Sequence, residues 1–433
     1  MVLAIVIAAI TCAGLLATVC IFPQNKIGKT NISYYATVPF IGAVLAVVCG
    51  AVGIKDVAEY FTSYSQSNPV KILVLFISMS LISVYLDETG FFEYVAHLAV
   101  KRTGGRQTGI FISLFITTSL LTVVTSNDIV ILTFTPFICR FCKRCRIDPV
   151  PYVFSQFVAA NTFSLMFLIG NPTNIFLAQS VKIGFAEYLS VMWLPTIFAG
   201  IAAFAITYII FYKSLKKPID PIDEEYRIEE LSYTVVGLVF LIACTLSIAI
   251  LPYLGLEMYY VSALYCIGLF ITVIIMRAVR RQRPKIVFKT LKRAPFEMIP
   301  LVLGMAVIAL TLGKNGVTDL VCNALGEEYI ILKYGVVSTL AANVFNNIPM
   351  SMIFAEIVGG LGGLNLQKAV YSSIIGSNLG AYLTPLGALA GLMFTTVLSR
   401  HGIKLSFKDF IKYGALVVPV TLAAALAGLY LVL

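Results

Sequence analysis

Charge is what this chain has least of. Asp, Glu, Lys and Arg make up 12% of its 433 residues, about half of what a soluble domain uses to cover its surface. Beside 59% hydrophobic residues, that scarcity excludes a soluble fold and leaves an all-α polytopic membrane protein. Histidine is nearly missing too, since His97 and His401 are single and near loops. Neither has a metal partner in the sequence, and no Walker loop, dinucleotide fingerprint or nucleophile–base pairing appears. No enzymatic chemistry, cofactor or metal is therefore expected. The nine cysteines lie mostly in apolar runs, where a small buried hydrophobe is the ordinary reading, and no disulfide framework follows. The first apolar run, Val2 to Phe22, lacks a basic leader and a small-residue cleavage site, so it reads as a retained helix.

The charge that is present is concentrated. Of the 31 Lys and Arg, 25 fall in clusters at 26–29, 101–106, 140–146, 213–227, 277–293 and 400–412. Basic loops stay on the cytoplasmic side of a membrane, which places these inside and both termini outside a plasma (inner) membrane. The net charge of +10 thus describes topology and not nucleic-acid binding. Taken in order, residues 1–68 are N-terminal scaffold helices and 69–212 a first repeat. A cytoplasmic linker with Pro218 and Pro221 covers 213–231, followed by scaffold helices and the densest basic loop over 232–294. Residues 295–433 form a second repeat. The run from Lys71 to about Val100 is longer than one crossing and is broken at Gly104-Gly105.

Two polar knots interrupt the first repeat. Thr125-Ser126-Asn127-Asp128 divides two apolar stretches too short to cross a bilayer, and their far ends both carry positive charge; together they form a re-entrant hairpin, 107–142, with this knot as its tip. Gly170-Asn171-Pro172-Thr173-Asn174 breaks a crossing helix, 151–182, because proline removes a backbone donor and glycine tolerates irregular dihedrals. The second repeat does the same with a hairpin, 329–358, around Asn346-Asn347. Its broken helix, 367–399, is interrupted at Gly376-Ser377-Asn378-Leu379-Gly380 and at Thr384-Pro385-Leu386-Gly387. From Asn127-Asp128 to Asn346-Asn347 the offset is 219, from Asn161 to Asn378 it is 217, and from Pro172 to Pro385 it is 213. One unit is duplicated, in opposite orientation, an arrangement of secondary transporters.

Half-helix ends offer free N–H groups at one terminus and free carbonyls at the other, so the knots supply a site with few formal charges. Its candidate side chains and backbone are Thr125, Ser126, Asn127, Asp128, Gly170, Asn171, Pro172, Thr173, Asn343, Asn346, Asn347, Gly376, Ser377, Asn378, Thr384 and Pro385. Such groups also stitch helices together, a role each one must be weighed against. Asp128 is the only carboxylate at a hairpin tip. A carboxylate at membrane depth is by default a proton or ion site, and aspartate also caps helices; Asp128 is the expected coupling-proton carrier. Glu356 and Asp87-Glu88, nearer the membrane edges, read as structural. Cys139, Cys142 and Cys145 share a helical stripe; three thiols can hold a soft metal or arsenite, but no fourth ligand is near and the reading is incidental.

The segments 86–93 (Leu-Asp-Glu-Thr-Gly-Phe-Phe-Glu), Ser126-Asn127-Asp128 with 132–136, Asn346-Asn347-Ile348-Pro349 and 383–390 resemble the ArsB-type arsenite permeases of the ion transporter superfamily. The likeness spans nearly the whole chain. Where arsenite-active members carry an acid and a lysine around the second break, this sequence has Asn378 and Tyr382. Its first break is similar to those of NhaD-type antiporters and divalent-anion/sodium symporters. The resemblance implies an elevator-type secondary transporter, a homodimer, whose hairpins and broken helices slide as one body against a scaffold. Its expected substrate is arsenite or antimonite, exported against protons; the alternatives are sodium-coupled uptake of a dicarboxylate or other anion and sodium/proton antiport. More distantly, the chain would be a channel or the membrane subunit of a pump driven by a separate ATPase.

Overall fold

The computed structural model describes residues 1–21, 34–64, 68–101, 103, 106–216, 228 and 230–433. Among them there are helices and no strand, as expected where the medium cannot hydrogen-bond a backbone and each segment must satisfy its own. The helices α1 (Val2–Ile21) and α2 (Tyr34–Val48) pack together, and a short α3 (Ile54–Thr62) follows. The start of α4 (Pro69–Glu88) is fixed by Asn68, whose side chain accepts a bond from Val70 N at 2.9 Å. Gly90, at φ +79°, takes a backbone conformation that side chains resist, and the chain restarts as α5 (Phe91–Lys101). Then come α6 (Gln107–Val124), α7 (Asn127–Arg144), α8 (Val150–Phe163), a single 3-10 turn (Leu168–Gly170), α9 (Pro172–Ser180) and the long α10 (Phe185–Leu215).

The second half opens with α11 (Leu231–Ile250), α12 (Met258–Val279) and a short α13 (Lys285–Lys292). After it, α14 (Met298–Lys314) and α15 (Val317–Leu325) meet at 75°, with Gly316 at φ +71° between them. The remainder is α16 (Ile330–Phe345), α17 (Asn347–Val358), α18 (Gly363–Gly380), α19 (Leu389–Arg400) and α20 (Phe407–Val432). The run α14 to α20 repeats α4 to α10: a crossing helix, a glycine corner, two hairpin arms, a broken helix and a long closing helix.

The first hairpin is measured against α8. At the base, Tyr152 OH donates to Gln107 Oε1 at 2.9 Å; midway, Thr135 Oγ1 donates to Gln156 Oε1 at 2.9 Å; at the tip, Asn127 Nδ2 donates to Asn161 Oδ1 at 3.0 Å. Thus α7 runs back down α8 while α6 runs up it, and both arms end on the face they started from. Tyr152 and Asn161 are about 14 Å apart along a helix, close to half the hydrocarbon thickness of about 30 Å. The hairpin is re-entrant, although both arms are 18 residues long and not the 16 and 11 that the apolar stretches alone suggest.

The second hairpin is built likewise along α18. Asn365 Nδ2 donates to Glu327 Oε2 at 2.8 Å near the base, and Asn343 Nδ2 to Gly380 O at 2.9 Å near the tip. The two hairpins open on opposite faces. Arg140, at the base of the first, bonds Glu93 at 2.5 Å, and nearby Arg293 bonds Asp87 at 2.5 Å and Glu88 at 2.6 Å; these mark the basic face, where α14 begins. The base of the second lies by Cys322 of α15, beyond the other end of α14, where Lys314 bonds Asp56 at 2.9 Å. Seventeen residues of α14, about 25 Å of helix, separate the two faces.

Several expectations change. The run 71–100 is two helices, not one. The segment Gly376 to Gly380 does not interrupt its helix; the break is confined to 381–388. Those glycines serve contact instead: a Cβ on Gly376 would lie 2.0 Å from Ser338 Oγ and 2.4 Å from Gly335 O, and one on Gly380 would lie 2.7 Å from Thr339 O. Hence α16 and α18 touch backbone to backbone. The short helices α3, α13 and α15 have no counterpart in the hydropathy pattern, being too short to register as spans. Lys26, Lys29, Arg102, the Gly104-Gly105 break and residues 217–227 and 229 of the linker lie outside the described residues. Replacing Gly376 by valine is expected to lower stability by about 1–3 kcal/mol or more through overpacking, read as a drop in the thermal unfolding midpoint of the detergent-solubilised protein; an unchanged midpoint would show the close approach to be dispensable.

Candidate functional site

Where the two repeats meet, one side chain holds the break of the other half. Asn378, fully buried on α18, accepts at Oδ1 from Asn171 Nδ2 (2.8 Å) and lies 2.9 Å from Ser164 Oγ; its Nδ2 donates to Asn174 Oδ1 (2.7 Å) and to Ile374 O (2.9 Å). Asn171 also caps α9, accepting from Thr173 N at 3.1 Å, and Asn174 Nδ2 donates to Ser164 O at 2.8 Å. Pro172 sits in the first turn of α9, where its missing N–H costs nothing. Gly170 is required for space, since a Cβ would fall 2.4 Å from Ser164 O. In the unwound segment 164–171, Asn174 Nδ2 therefore closes the Ser164 and Phe167 carbonyls, and Tyr188 OH donates to Leu165 O at 3.0 Å.

The second break is closed from its own hairpin. Asn343 Oδ1 accepts from Thr384 Oγ1 (2.8 Å) and Thr384 N (3.1 Å). Asn346 Nδ2 donates to Leu386 O (3.2 Å), and Asn347 N to Gly387 O (3.0 Å). Pro385 lies in that turn between these anchors. Behind them, Tyr382 OH donates to Thr421 Oγ1 at 2.7 Å and lies 3.5 Å from Thr162 Oγ1, tying α8, the break and α20 together.

Subtracting the stitches leaves a smaller set. Ser126 Oγ, Asn127 Oδ1, Asn347 Oδ1 and Ser377 Oγ are buried and have no partner among the described residues. A buried polar atom without a partner costs about 1–3 kcal/mol, so such atoms at both hairpin tips and beside the Asn378 hub are what a site awaiting a ligand would hold. The orientation of Asn127 is fixed by its neighbours. Asn161 Nδ2 donates to Phe157 O at 2.9 Å, which leaves Asn161 Oδ1 to accept from Asn127 Nδ2 and turns Asn127 Oδ1 away as a free acceptor. Thr125 is occupied locally, its Oγ1 donating to Leu121 O at 2.6 Å.

Asp128 is half-buried at the second position of α7 and meets no ion pair or hydrogen bond among the described residues. Together with Ser126 it lines the inner end of a cavity of about 490 Å³. Lys292, Arg293 and Arg400 line the mouth, on the basic face, and Leu389 and Leu392 of α19 form a wall. Asn347 and Ser377 do not line it. Cys139, Cys142 and Cys145 are buried thiols away from this cavity, and among the described residues no group of His, Cys, Asp or Glu is arranged to hold a metal ion.

Of the expected residues, Asn171, Thr173 and Asn378 converge directly, Asn343 and Thr384 pair with each other, and Gly376 serves packing. Sequence reasoning missed Ser164 and Asn174 as partners of Asn378, and the Thr162–Tyr382–Thr421 hydroxyls. Asn174 was within the recognised motif; Ser164 had a weaker signal, a hydroxyl three residues past Asn161, whose repeat counterpart is Asn378.

A helical membrane protein with two oppositely opening hairpins and two broken helices joined through Asn378 is a membrane transporter. This one belongs to the citrate transporter family, whose model matches residues 30–376. It is 27% identical over 410 residues to an arsenical pump membrane protein of Escherichia coli, covering 90% of this chain and 92% of that one. It is 28% identical over 416 residues to an arsenical pump membrane protein of Yersinia enterocolitica, with the same coverage. The YdaH transporter of Alcanivorax borkumensis, a crystal structure of unusual topology, shares the fold at 14% identity and a TM-score of 0.56, over 100% of this chain and 97% of that chain.

The hub predicts a specific loss. Asn378→Ala strands acceptor and donor groups on Asn171 and Asn174 at once and is expected to destabilise by about 1–3 kcal/mol, whereas Ser377→Ala, one residue away, removes an unpartnered hydroxyl and leaves the unfolding midpoint in detergent near wild type. Equal midpoints for the two variants would refute the division between stitches and free groups.

Proposed function

We propose that this transporter exports arsenite or antimonite in exchange for protons. The observation that carries the reading is the neutral set of unpartnered oxygens at the two tips and on α18 beside Asn378. Arsenite at neutral pH is an uncharged trihydroxide, which donates hydrogen bonds; Asn127 Oδ1 and Asn347 Oδ1 accept them, and the Ser126 and Ser377 hydroxyls do either. A di- or tricarboxylate presents mainly acceptors and would meet these carbonyl oxygens unfavourably. The relatives named as arsenical pump membrane proteins support the same substrate class.

In this reading Asp128 carries the coupling proton. It is the one ionisable group at a tip, it faces the cavity, and no cation neutralises it. The basic face is cytoplasmic by the distribution of Lys and Arg, so the cavity faces inward and both termini lie outside the plasma membrane. Residues 69–212 and 295–433 are the two repeats; their hairpins and broken helices move as an elevator against the helices of 1–68 and 232–294, in a homodimer. An ATPase subunit is a further proposed partner, suggested by the word pump in the relatives' names.

Sodium-coupled uptake of an anion such as citrate is the second reading, favoured by the description of the family, with helix N-termini at the tips as the anion's donors. Carbonyl oxygens there also suit a sodium ion, which keeps sodium/proton antiport within it. Thermal unfolding with each solute separates the substrates, since a ligand at a hundredfold excess over Kd stabilises by about 2.7 kcal/mol. Arsenite or antimonite is expected to raise the midpoint and citrate with sodium to leave it unchanged; the reverse pattern selects the anion reading. For coupling, Asp128→Asn in proteoliposomes is expected to reduce pH-gradient-driven arsenite flux to background while arsenite counterflow persists. Gradient-driven flux at the wild-type rate in that variant would remove Asp128 from the mechanism.

A further inference from the structure

Between Arg277 and Arg293 the chain has eight cations and no carboxylate. Among the described residues Arg277 is engaged with Glu230, Arg280 with Ser232 Oγ at 3.2 Å, and Arg293 with Asp87 and Glu88. Arg281, Arg283, Lys285 and Lys289 make no ion pair among the described residues. The helix α13 in the middle of this run has two unlike faces. Ile286, Val287 and Thr290 are buried, and α13 packs on α4. On the other face, Lys285, Phe288, Lys289 and Leu291 are exposed, Phe288 by 62%, and Phe296 follows at 44%.

The position of α13 decides what covers that face. Five residues (280–284) join it to the end of α12 and five (293–297) to the start of α14. Both neighbours are apolar helices of membrane type, so tethers of this length hold α13 at the membrane–water boundary. A helix there with lysines beside exposed Phe and Leu has the composition of an interfacial helix, with cations at headgroup level and apolar side chains in the acyl boundary.

We propose that α13 is a docking element for anionic phospholipid: Lys285 and Lys289 take lipid phosphates while Phe288 and Leu291 enter the bilayer. The element is joined to the transport route. Its last residue, Lys292, and the next, Arg293, line the mouth of the cavity that ends at Ser126 and Asp128, and Arg293 ties the same segment to the end of α4. Lipid charge therefore sets how firmly the mouth of the cavity is held. This inference needs only the chain's place in a membrane and not the identity of its substrate, so it stands or falls apart from the arsenite reading.

The test uses the full chain in neutral detergent, titrated with phosphatidylglycerol, with phosphatidylcholine, and with inorganic phosphate as a soluble source of the same headgroup chemistry. Thermal unfolding and gel-filtration profile are recorded at low and high salt. Phosphatidylglycerol is expected to stabilise at low salt, phosphatidylcholine and phosphate not. In Lys285→Gln/Lys289→Gln the half-saturating phosphatidylglycerol concentration should rise about tenfold or more, since each cation at an anionic surface contributes a factor of about five, with the lipid-free midpoint unchanged. Phe288→Ser should weaken the lipid response without altering its salt dependence. Equal responses to the two lipids, an equal response to phosphate, or an unaltered titration in the double variant would each overturn the proposal. So would a basic face that a soluble acidic protein saturates in the presence of phosphatidylglycerol vesicles while the vesicles themselves go unbound.

Discussion

A backbone group in hydrocarbon has no water to turn to, and everything distinctive in this structure follows from how that requirement is met where helices are broken. At the first break, Asn378 holds the Asn171 and Asn174 side chains in place, Asn171 caps α9, Tyr188 closes the Leu165 carbonyl and Asn174 closes those of Ser164 and Phe167. At the second, Asn343, Asn346 and Thr384 do so. Amides suit this role because one side chain both donates and accepts and carries no charge whose desolvation would exceed its bonds. These bonds run between repeats at one break and within a repeat at the other, so the candidate site lies where the two halves are joined.

The same economy shapes the contacts between helices. In a bilayer, helix pairing depends on close approach of small residues more than on apolar burial. Glycines 376 and 380 let α18 lie against α16 so tightly that a single Cβ would have to displace a backbone carbonyl. That approach is also what puts Asn343 within reach of Gly380 O and sets the second tip where it is. Packing and site geometry are thus fixed by the same residues.

Most of the fold was legible because its signals are long and categorical. Apolar runs give helices, and Gly, Pro and Asn inside an apolar run give breaks; from these came the hairpins, the broken helices and the duplicated order. Gly376 to Gly380 misled because glycine marks both a broken helix and a touching one, and local sequence does not distinguish them. The helices α3 and α13 escaped since short amphipathic segments leave no mark in hydropathy. At the level of the site, residue type picked out polar groups but not their partners. Which asparagine is spent on structure and which keeps a free oxygen depends on contacts more than 200 residues apart, such as Asn171 with Asn378, and offers no periodic signal.

Asn161 and Asn378 hold equivalent places in the two repeats, yet they are used differently. Asn161 grips the tip of its own hairpin through Asn127, whereas Asn378 reaches across to the opposite break. The duplicated halves are alike in shape and unlike in wiring. One hairpin tip is held by a side-chain amide pair, the other by bonds to a backbone turn at 386–387. Duplication has kept the shape of the two tips while letting their bonds diverge, so a substitution at one tip has no equivalent at the other and the two halves can change independently.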